Sequence, residues 1–256
     1  MLEPSHSLSN LQSTPLWRRG KQYCGRFLVS RLPISRHVFD QIRLELNVLY
    51  VRATCVFDIR YWKTLRRLRK ASNLAVNIGC GGSGNTEWVN LDLMNHAHLT
   101  LRYDCRRRLP LTDGSVKAIR CEHFLEHLSV EDEVPELLRS CYRVLSSGGV
   151  LRIVVPDTKK YLLAYASGDI ETWRDLGWDL NAMPAGFYTP LDAINHVFRQ
   201  GHEHKYAYDF NTLAERLRQA GFDQICQMRF GESHSSLLRD DLPNHKPYSL
   251  YVEAVR

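Results

Sequence analysis

The chain has 256 residues, of which 44% are hydrophobic, and it carries a formal net charge of +6. That length accommodates one α/β domain with an appendage, and the apolar content suffices for a buried core. The seven cysteines form no C-x-x-C pair, which argues against a disulfide framework or a structural zinc site and favours a reduced compartment. Because no apolar run reaches the roughly 18 residues of a transmembrane helix, we expect a cytoplasmic protein, either soluble or peripheral to a membrane.

The first 72 residues form a basic N-terminal region. They contain 14 Lys and Arg against 4 Asp and Glu, whereas residues 73–256 contain 20 against 24. Residues 1–16 are polar and are predicted to be disordered. The dense basic run that ends this region is predicted either to be the solvated face of a packed helix or to contact an anionic membrane, with nucleic acid as a weaker alternative.

An amphipathic helical stretch is predicted between Arg36 and Arg69. Apolar residues recur there at intervals of three and four positions, which is the spacing of one helix face. The pattern changes within residues 53–58. The stretch is therefore either one helix or two helices separated at that point.

A strand, a glycine-rich turn and a second strand are predicted from Leu74 to Asp92. The first strand is an apolar run that ends at Ile78, and it is followed by Gly79 and Gly81, where glycine permits positive φ and close approach of a ligand. Asp92 ends the second strand and can accept hydrogen bonds from both hydroxyls of a ribose. The stretch predicts a nucleoside-bearing ligand at the carboxyl ends of parallel strands.

Two classes of nucleotide-binding protein share this arrangement. Gly79, Gly81 and Gly84 match the dinucleotide fingerprint G-x-G-x-x-G, which makes an NAD(P)-dependent oxidoreductase one alternative. That fingerprint needs a helix at its third glycine and an acid about 20 residues on. Asp92 lies 13 residues after Gly79, which leaves little room for a helix whose N-terminus would hold a pyrophosphate.

The rest of the chain alternates strands and helices. A third strand is predicted to end at Asp104, before a loop with Arg106, Arg107 and Arg108 that we expect to be solvated. A fourth strand leads to Glu122 and His123. Further predicted elements are a helix Leu137–Leu145 stopped by Gly148, an apolar strand ending at Pro156, a lid or substrate-binding insertion at 167–208, a helix capped by Asp209 and stopped at Gly221, and strands near Gln224–Phe230 and Ser249–Val255.

Several of these segments resemble the class I S-adenosylmethionine-dependent methyltransferases. Residues 74–92 resemble the first motif of that class, an apolar strand followed by an acid or Asn and by G-x-G. The segments EHFLEHL (122–128) and RVLSSGGVLRIVVPD (143–157) resemble the type 11 methyltransferase domain. The resemblance implies an α/β, Rossmann-like, seven-stranded and mostly parallel sheet with an antiparallel last pair, in a methyltransferase domain at 73–256, with S-adenosyl-L-methionine as cofactor.

The resemblance also implies roles for individual residues. It implies that Asn77, Gly79 and Gly81 hold the methionine end of the cofactor, that Asp92 holds its ribose and Asp104 its adenine, and that Cys80 and Glu122 complete the cofactor-binding set. Glu122 or His123 would border the transferred methyl group.

A hydroxyl acceptor needs a base, and histidines are the first candidates. His123 ranks first because it follows the fourth strand, although a structural histidine is the competing interpretation. His202 ranks second, because a lid could bring it to the acceptor. His196, His202 and His204 offer metal ligands, but with no assured carboxylate partner we predict no metal site.

The short spacing between GCG and NLD resembles proteins of bacterial surface-glycan assembly. This implies a sugar hydroxyl on a small or lipid-linked glycan as the acceptor, an expectation that rests on analogy. A non-catalytic methyltransferase-like module, held on membrane or RNA by its basic helix, is the remaining alternative.

Overall fold

The computed structural model describes residues 34–256. The chain divides into two compact units, residues 1–53 and residues 54–256. Of the first unit, the described part is mainly the beginning of helix α1, Arg36–Phe57. The prediction for residues 1–16 lies outside the described residues. No helix between residues 34 and 256 combines the length and the apolar character needed to cross a bilayer.

The second unit is built on one seven-stranded sheet with the order β3-β2-β1-β4-β5-β7-β6. Strands β1 to β5 are parallel, and β7 is antiparallel to both β5 and β6. The strands are β1 Leu74–Ile78, β2 Val89–Asp92, β3 Leu101–Arg102, β4 Val116–Glu122, β5 Leu145–Pro156, β6 Gln224–Met228 and β7 Ser249–Val255. This is the predicted fold, with the antiparallel pair at the predicted end of the chain.

Apolar side chains on both faces explain why the central strands form the core. Val76 and Ile78 of β1 are fully buried on one face, and Ala118 of β4 is fully buried on the other. Parallel strands covered by helices on both sides have such continuous apolar runs. Because the carboxyl ends of β1, β2 and β4 lie along one edge, the glycine turn, Asp92 and His123 are brought to the same side of the sheet.

The described helices after α1 are α2 Ile59–Lys70, α3 Glu133–Val144, α4 Thr158–Ser167, α5 Ile170–Asp175, α6 Pro190–Arg199 and α7 Phe210–Gln219. The predicted helical stretch at Arg36–Arg69 is two helices, because Asp58 interrupts it and caps α2 by accepting a hydrogen bond from the Arg60 amide. Asp209 caps α7 by accepting from the Thr212 amide at 2.8 Å, as predicted.

Helix α2 packs on the sheet through a narrow apolar stripe. Leu65 and Leu68 are buried in the same hydrophobic cluster as the central strands. The basic residues between and beyond them are exposed. Although the sequence places this helix in the N-terminal region, the compact unit that contains the sheet begins at Thr54.

Two predicted boundaries need correction. The helix assigned to Leu137–Leu145 begins at Glu133, because Asp132 caps it, and ends at Val144, where the chain enters β5 directly. Gly148 therefore does not stop the helix. It has φ +74° inside β5, and its amide donates to the Arg256 carbonyl at 2.7 Å. The third strand also ends two residues before Asp104.

The segment 167–208 contains α5 and α6 and has a hydrophobic cluster of its own. Trp173, Trp178, Ala193 and Ile194 are buried there together with side chains of α4. These bulky apolar residues give the segment packed structure, which its weak sequence periodicity did not predict.

Candidate active site

The turn after β1 is fixed to the end of β2 by hydrogen bonds that two of its main-chain amides donate. The Gly79 amide donates to the Leu91 carbonyl at 2.9 Å, and the Gly81 amide donates to Oδ2 of Asp92 at 2.9 Å. Both glycines have the positive φ predicted for them, +62° and +48°. The described connection at 79–88 contains no helix. It therefore lacks the helix N-terminus that the dinucleotide fingerprint uses to bind a pyrophosphate.

Asp92 is almost buried at the end of β2. Its Oδ1 accepts from the Met94 amide at 2.7 Å, while Oδ2 accepts from Gly81. A carboxylate oxygen has two lone pairs, so each oxygen retains one acceptor site for a ribose hydroxyl.

The space around the turn distinguishes its glycines. A Cβ built on Gly81 or Gly82 would meet no atom within 4 Å, whereas a Cβ on Gly79 would lie 2.4 Å from Cδ2 of Phe124. The Phe124 ring thus covers Gly79, and the main chain at Gly81 faces open space. An acid with spare acceptor sites beside an accessible glycine main chain fits a nucleoside cofactor.

Asn77 and Cys80 shape the turn from inside. Nδ2 of Asn77 donates to the Ser83 carbonyl at 3.3 Å, which braces the far end of the turn. Burial raises the pKa of the Cys80 thiol to about 11, with a smaller contribution from the charge of Asp92. Cys80 is therefore a neutral thiol at physiological pH, and its buried side chain contributes to the packing of the turn.

Asp104 is bound by a neighbouring arginine. Nε of Arg106 donates to Oδ1 at 2.9 Å and its terminal nitrogen donates to Oδ2 at 3.2 Å, while the other terminal nitrogen reaches Glu133 at 3.3 Å. The expectation of a solvated loop is wrong for Arg106 and holds for the exposed Arg107 and Arg108. An adenine amino group bound at Asp104 would share the carboxylate with the Arg106 guanidinium.

A second group of polar side chains surrounds the carboxyl end of β4. Oε1 of Glu122 accepts from Nδ1 of His245 at 2.9 Å. The His245 ring lies 4.1 Å, centre to centre, from the His123 ring, and Tyr248 lies 5.7 Å from His123. The end of β4 thus combines a carboxylate, two imidazoles and a phenol.

His123 is held between two hydrogen-bonding partners. Its Nδ1 lies 3.1 Å from Oε1 of Glu126 and its Nε2 lies 2.9 Å from Oγ of Ser249. Burial raises the pKa of the Glu126 carboxyl, but the hydrogen bond from His123, the charges of His123 and His127 and a main-chain hydrogen bond together outweigh burial, and the net pKa is lowered. An ionised Glu126 only accepts, so Nδ1 carries the proton and Nε2 of a neutral ring accepts from the Ser249 hydroxyl.

A buried arginine positions the loop that carries His245 and Tyr248. Arg152 of β5 is fully buried and donates to both carboxylate oxygens of Asp241, at 2.8 and 2.6 Å, and to Glu253 of β7 at 2.8 Å. The same guanidinium donates to the main-chain carbonyl of Glu232 at 2.8 Å. Removing one partner from such a buried network is costly, which keeps the β6–β7 loop against the sheet.

The predicted second base lies on a separate segment. His202 is exposed in the short 3₁₀ turn Gln200–His202 that follows α6, with φ +83°. His196 packs against the rings of Trp178 and Phe187. The described side-chain contacts of His123 are with Glu126, Ser249, His245 and Tyr248. These residues, rather than the lid histidines, surround the first candidate base.

Five residues of this site were not predicted from the sequence, namely Phe124, Glu126, His245, Tyr248 and Ser249. Phe124 and Glu126 lie in the EHFLEHL motif, so the motif could have indicated them. The other three lie more than 120 residues from His123, at the start of the last strand, and no local pattern marks them.

The sheet order, the glycine turn after β1 and the acid that ends β2 define a class I methyltransferase fold, as predicted. The open main chain at Gly81 and the spare acceptor sites of Asp92 fit the cofactor of that class, S-adenosyl-L-methionine.

Residues 76–153 match the model of a family described as a methyltransferase domain, the type 11 group. The match runs from within β1 to within β5, the part of the sheet that carries the glycine turn, Asp92 and His123. No curated protein sequence matches the chain.

Solved structures include similar folds at low identity. A methyltransferase from Archaeoglobus fulgidus is 18% identical, with 77% of this chain and 94% of that chain covered and a TM-score of 0.42. One from Mesorhizobium loti is also 18% identical, with 77% and 98% covered and a TM-score of 0.43. The 1,6-didemethyltoxoflavin-N1-methyltransferase of Burkholderia thailandensis is 12% identical, with 88% and 92% covered and a TM-score of 0.44.

Proposed function

We propose that this methyltransferase acts on a sugar hydroxyl of a small or lipid-linked glycan. The bound cofactor would supply an electrophilic sulfonium methyl group. The chain would then have to orient an acceptor oxygen and take its proton. The observation that carries the proposal is the hydrogen-bonded series Glu126, His123 and Ser249 at the carboxyl end of β4.

Glu126 prepares His123 for the role of a base. It holds the proton on Nδ1, so the lone pair of Nε2 points towards Ser249. The side chain of His123 is 18% exposed and can be reached from outside, whereas Glu126 is only 1% exposed. An acceptor hydroxyl that replaces the Ser249 hydroxyl at Nε2 would donate its proton there, and the carboxylate would stabilise the resulting imidazolium.

The neighbours of His123 favour an acceptor rich in hydroxyl groups. The Glu122 carboxylate and the His245 imidazole lie beside it and offer hydrogen-bonding atoms at fixed positions. Burial raises the pKa of Tyr248 to about 12, so its phenol stays neutral and can both donate and accept. His202, on its exposed turn, is proposed as the second candidate base.

We further propose that α2 places the protein against an anionic membrane. Phe57, the last residue of α1, and Ile59 and Trp62 of α2 are exposed, with 89%, 68% and 48% of their surface accessible. Exposed basic residues follow along the helix, namely Arg60, Lys63, Arg66, Arg67, Arg69 and Lys70. Apolar and basic residues together suit a lipid surface, and this placement would bring the site to a lipid-linked acceptor.

A methyl-transfer assay tests the proposed acceptor. Each reaction would contain the protein, methyl-labelled S-adenosylmethionine and one class of acceptor. The acceptors are lipid-linked oligosaccharide, free sugars, RNA and small amines. We expect label in an alkali-stable ether on the saccharide. Label in RNA or an amine, but in no saccharide, would overturn the acceptor proposal and leave the methyltransferase class intact.

A further inference from the structure

Three side chains with metal-ligating atoms meet beside the candidate active site. Glu126 and His127 come from the 3₁₀ turn Leu125–His127 that follows β4, and His204 comes from the segment after α6. One ligand atom from each lies within 4.8 Å of the others. We call these residues the Glu126–His127–His204 cluster.

Both histidines of the cluster are oriented by main-chain carbonyls. Nδ1 of His127 lies 3.1 Å from the Glu203 carbonyl, and Nδ1 of His204 lies 2.6 Å from the Val197 carbonyl. A carbonyl oxygen only accepts, so each Nδ1 carries the proton and each Nε2 holds a free lone pair. Metal-ligating histidines are typically fixed in this way, with the second ring nitrogen bound to an acceptor.

Glu126 contributes a buried carboxylate oxygen that lacks a hydrogen-bond partner. The residue is 1% exposed, Oε1 is engaged by His123, and Oε2 has no hydrogen-bond partner. An unpaired buried carboxylate oxygen is costly in free energy. A cation at the cluster would remove that cost.

We propose that the Glu126–His127–His204 cluster binds one divalent transition-metal ion of the zinc type, through Oε2 of Glu126 and Nε2 of each histidine. Two histidines and one glutamate form a zinc ligand set that leaves a fourth position for water or an acceptor oxygen. Tetrahedral zinc with bonds of about 2.0–2.2 Å holds its ligand atoms about 3.3–3.6 Å apart, so binding would draw together ligand atoms that now lie within 4.8 Å of one another.

The proposed ion would join two segments of the site. It would tie the turn after β4 to the segment that ends the 167–208 insertion, where the Lys205 amide already donates to the Glu126 carbonyl at 2.8 Å. Oε1 of Glu126 would remain bonded to His123. The set differs from the sequence-based candidates His196, His202 and His204, because only His204 reaches the cluster.

Metal binding by the full-length protein tests the proposal without any activity assay. Protein stripped with EDTA is dialysed against Zn²⁺, and in parallel against Co²⁺ as a spectroscopic probe. We expect one ion per chain and a visible Co²⁺ spectrum typical of nitrogen and oxygen ligands. Failure to bind zinc stoichiometrically, or a near-ultraviolet thiolate-to-cobalt band, would overturn the proposal.

Three glutamine variants locate the ion. His127→Gln and His204→Gln should each weaken Zn²⁺ binding by at least about tenfold, since losing an orienting partner alone costs about 10–100-fold. His196→Gln is the matched control and should bind as the wild type does. If one cluster variant fails to fold, as judged by circular dichroism, the other decides. Wild-type affinity in a folded cluster variant would mean that the ion lies elsewhere.

Discussion

The Nε2 atom of His123 lies 2.9 Å from the hydroxyl of Ser249, which is 126 residues further along the chain. The register of the sheet explains this proximity. Glu122, at the end of β4, pairs with Val154 of β5, and Ser249, at the start of β7, pairs with Pro156. The antiparallel last strand therefore begins where the parallel strands end, beside the candidate base.

This relationship predicts opposite outcomes for two substitutions. His123→Ala should lower the turnover number by about 10²–10⁴-fold, the usual contribution of a general base. Ser249→Ala should retain most of the activity, because it removes only the hydroxyl that an acceptor would replace. Steady-state kinetics and calorimetric titration with S-adenosylhomocysteine measure both effects. A parallel loss of cofactor affinity in His123→Ala would identify His123 as structural.

The pKa of Glu126 predicts how stability depends on pH. In the folded chain the pKa lies below its usual value of 4.5, because the hydrogen bond from His123, the charges of His123 and His127 and a main-chain hydrogen bond together outweigh burial. A carboxyl with a depressed folded pKa adds stability that is present above the unfolded pKa and is lost as the pH falls through the folded pKa. Glu126→Gln lacks this contribution. The free energy of unfolding should therefore fall by about 1–3 kcal/mol at pH 7, and the difference from the wild type should shrink below about pH 4.5.

Urea denaturation of both proteins in EDTA, from pH 3.5 to pH 7, measures that difference apart from any metal effect. A difference that stays constant over the whole range would show that the Glu126 carboxylate gains no stability from His123.

The sequence predicted those parts of the site that depend on neighbours in the chain. Gly79, Gly81 and Asp92 lie within one strand–turn–strand unit, so spacing alone places the glycine amides near the acid. The contacts of Glu122 with His245 and of His123 with Ser249 depend on β7 pairing between β5 and β6, a contact between distant residues that no local pattern encodes. The prediction began α3 four residues too late, although the cap at Asp132 and the buried Val134, at helical spacing from Leu137 and Leu138, mark its start.

Two glycine-to-alanine substitutions should have different consequences. Both glycines have positive φ, so alanine costs about 1–2 kcal/mol at either position. Gly79→Ala also places a methyl 2.4 Å from Phe124 and should destabilise the fold further. Gly81→Ala projects its methyl into open space and should mainly weaken cofactor binding.

Chemical denaturation and calorimetric titration with S-adenosylhomocysteine separate the two effects. Phe124→Ala combined with Gly79→Ala should recover part of the stability, because the clashing ring is gone. If Gly81→Ala binds the cofactor normally, the space beside Gly81 is not the cofactor site.

Asp92 is expected to act on the cofactor both directly and through the turn. Asp92→Ala should weaken binding of S-adenosylhomocysteine by about 1.5–3 kcal/mol, the range for hydrogen bonds to a charged group. Asp92→Asn keeps one acceptor oxygen and should lose less. The shift in melting temperature caused by S-adenosylhomocysteine and by NAD tests the cofactor assignment, because only a ligand bound by the native state raises the melting temperature. Stabilisation by NAD alone would contradict the cofactor assignment.

The membrane proposal is best tested by changing surface charge, because α2 buries Leu65 and Leu68 in the core and its deletion would expose that core. Lys63 and Arg67 are exposed on this helix. Replacing both with Gln should weaken binding to phosphatidylserine vesicles by about 2 kcal/mol, or about thirtyfold, at about 1 kcal/mol for each basic residue.

Arg139→Gln with Arg218→Gln removes the same charge from α3 and α7, where the two side chains are 59% and 57% exposed, and should leave binding unchanged. Vesicle sedimentation at low and physiological salt measures both pairs, and equal losses would mean that only net charge matters and that α2 is not the contact surface.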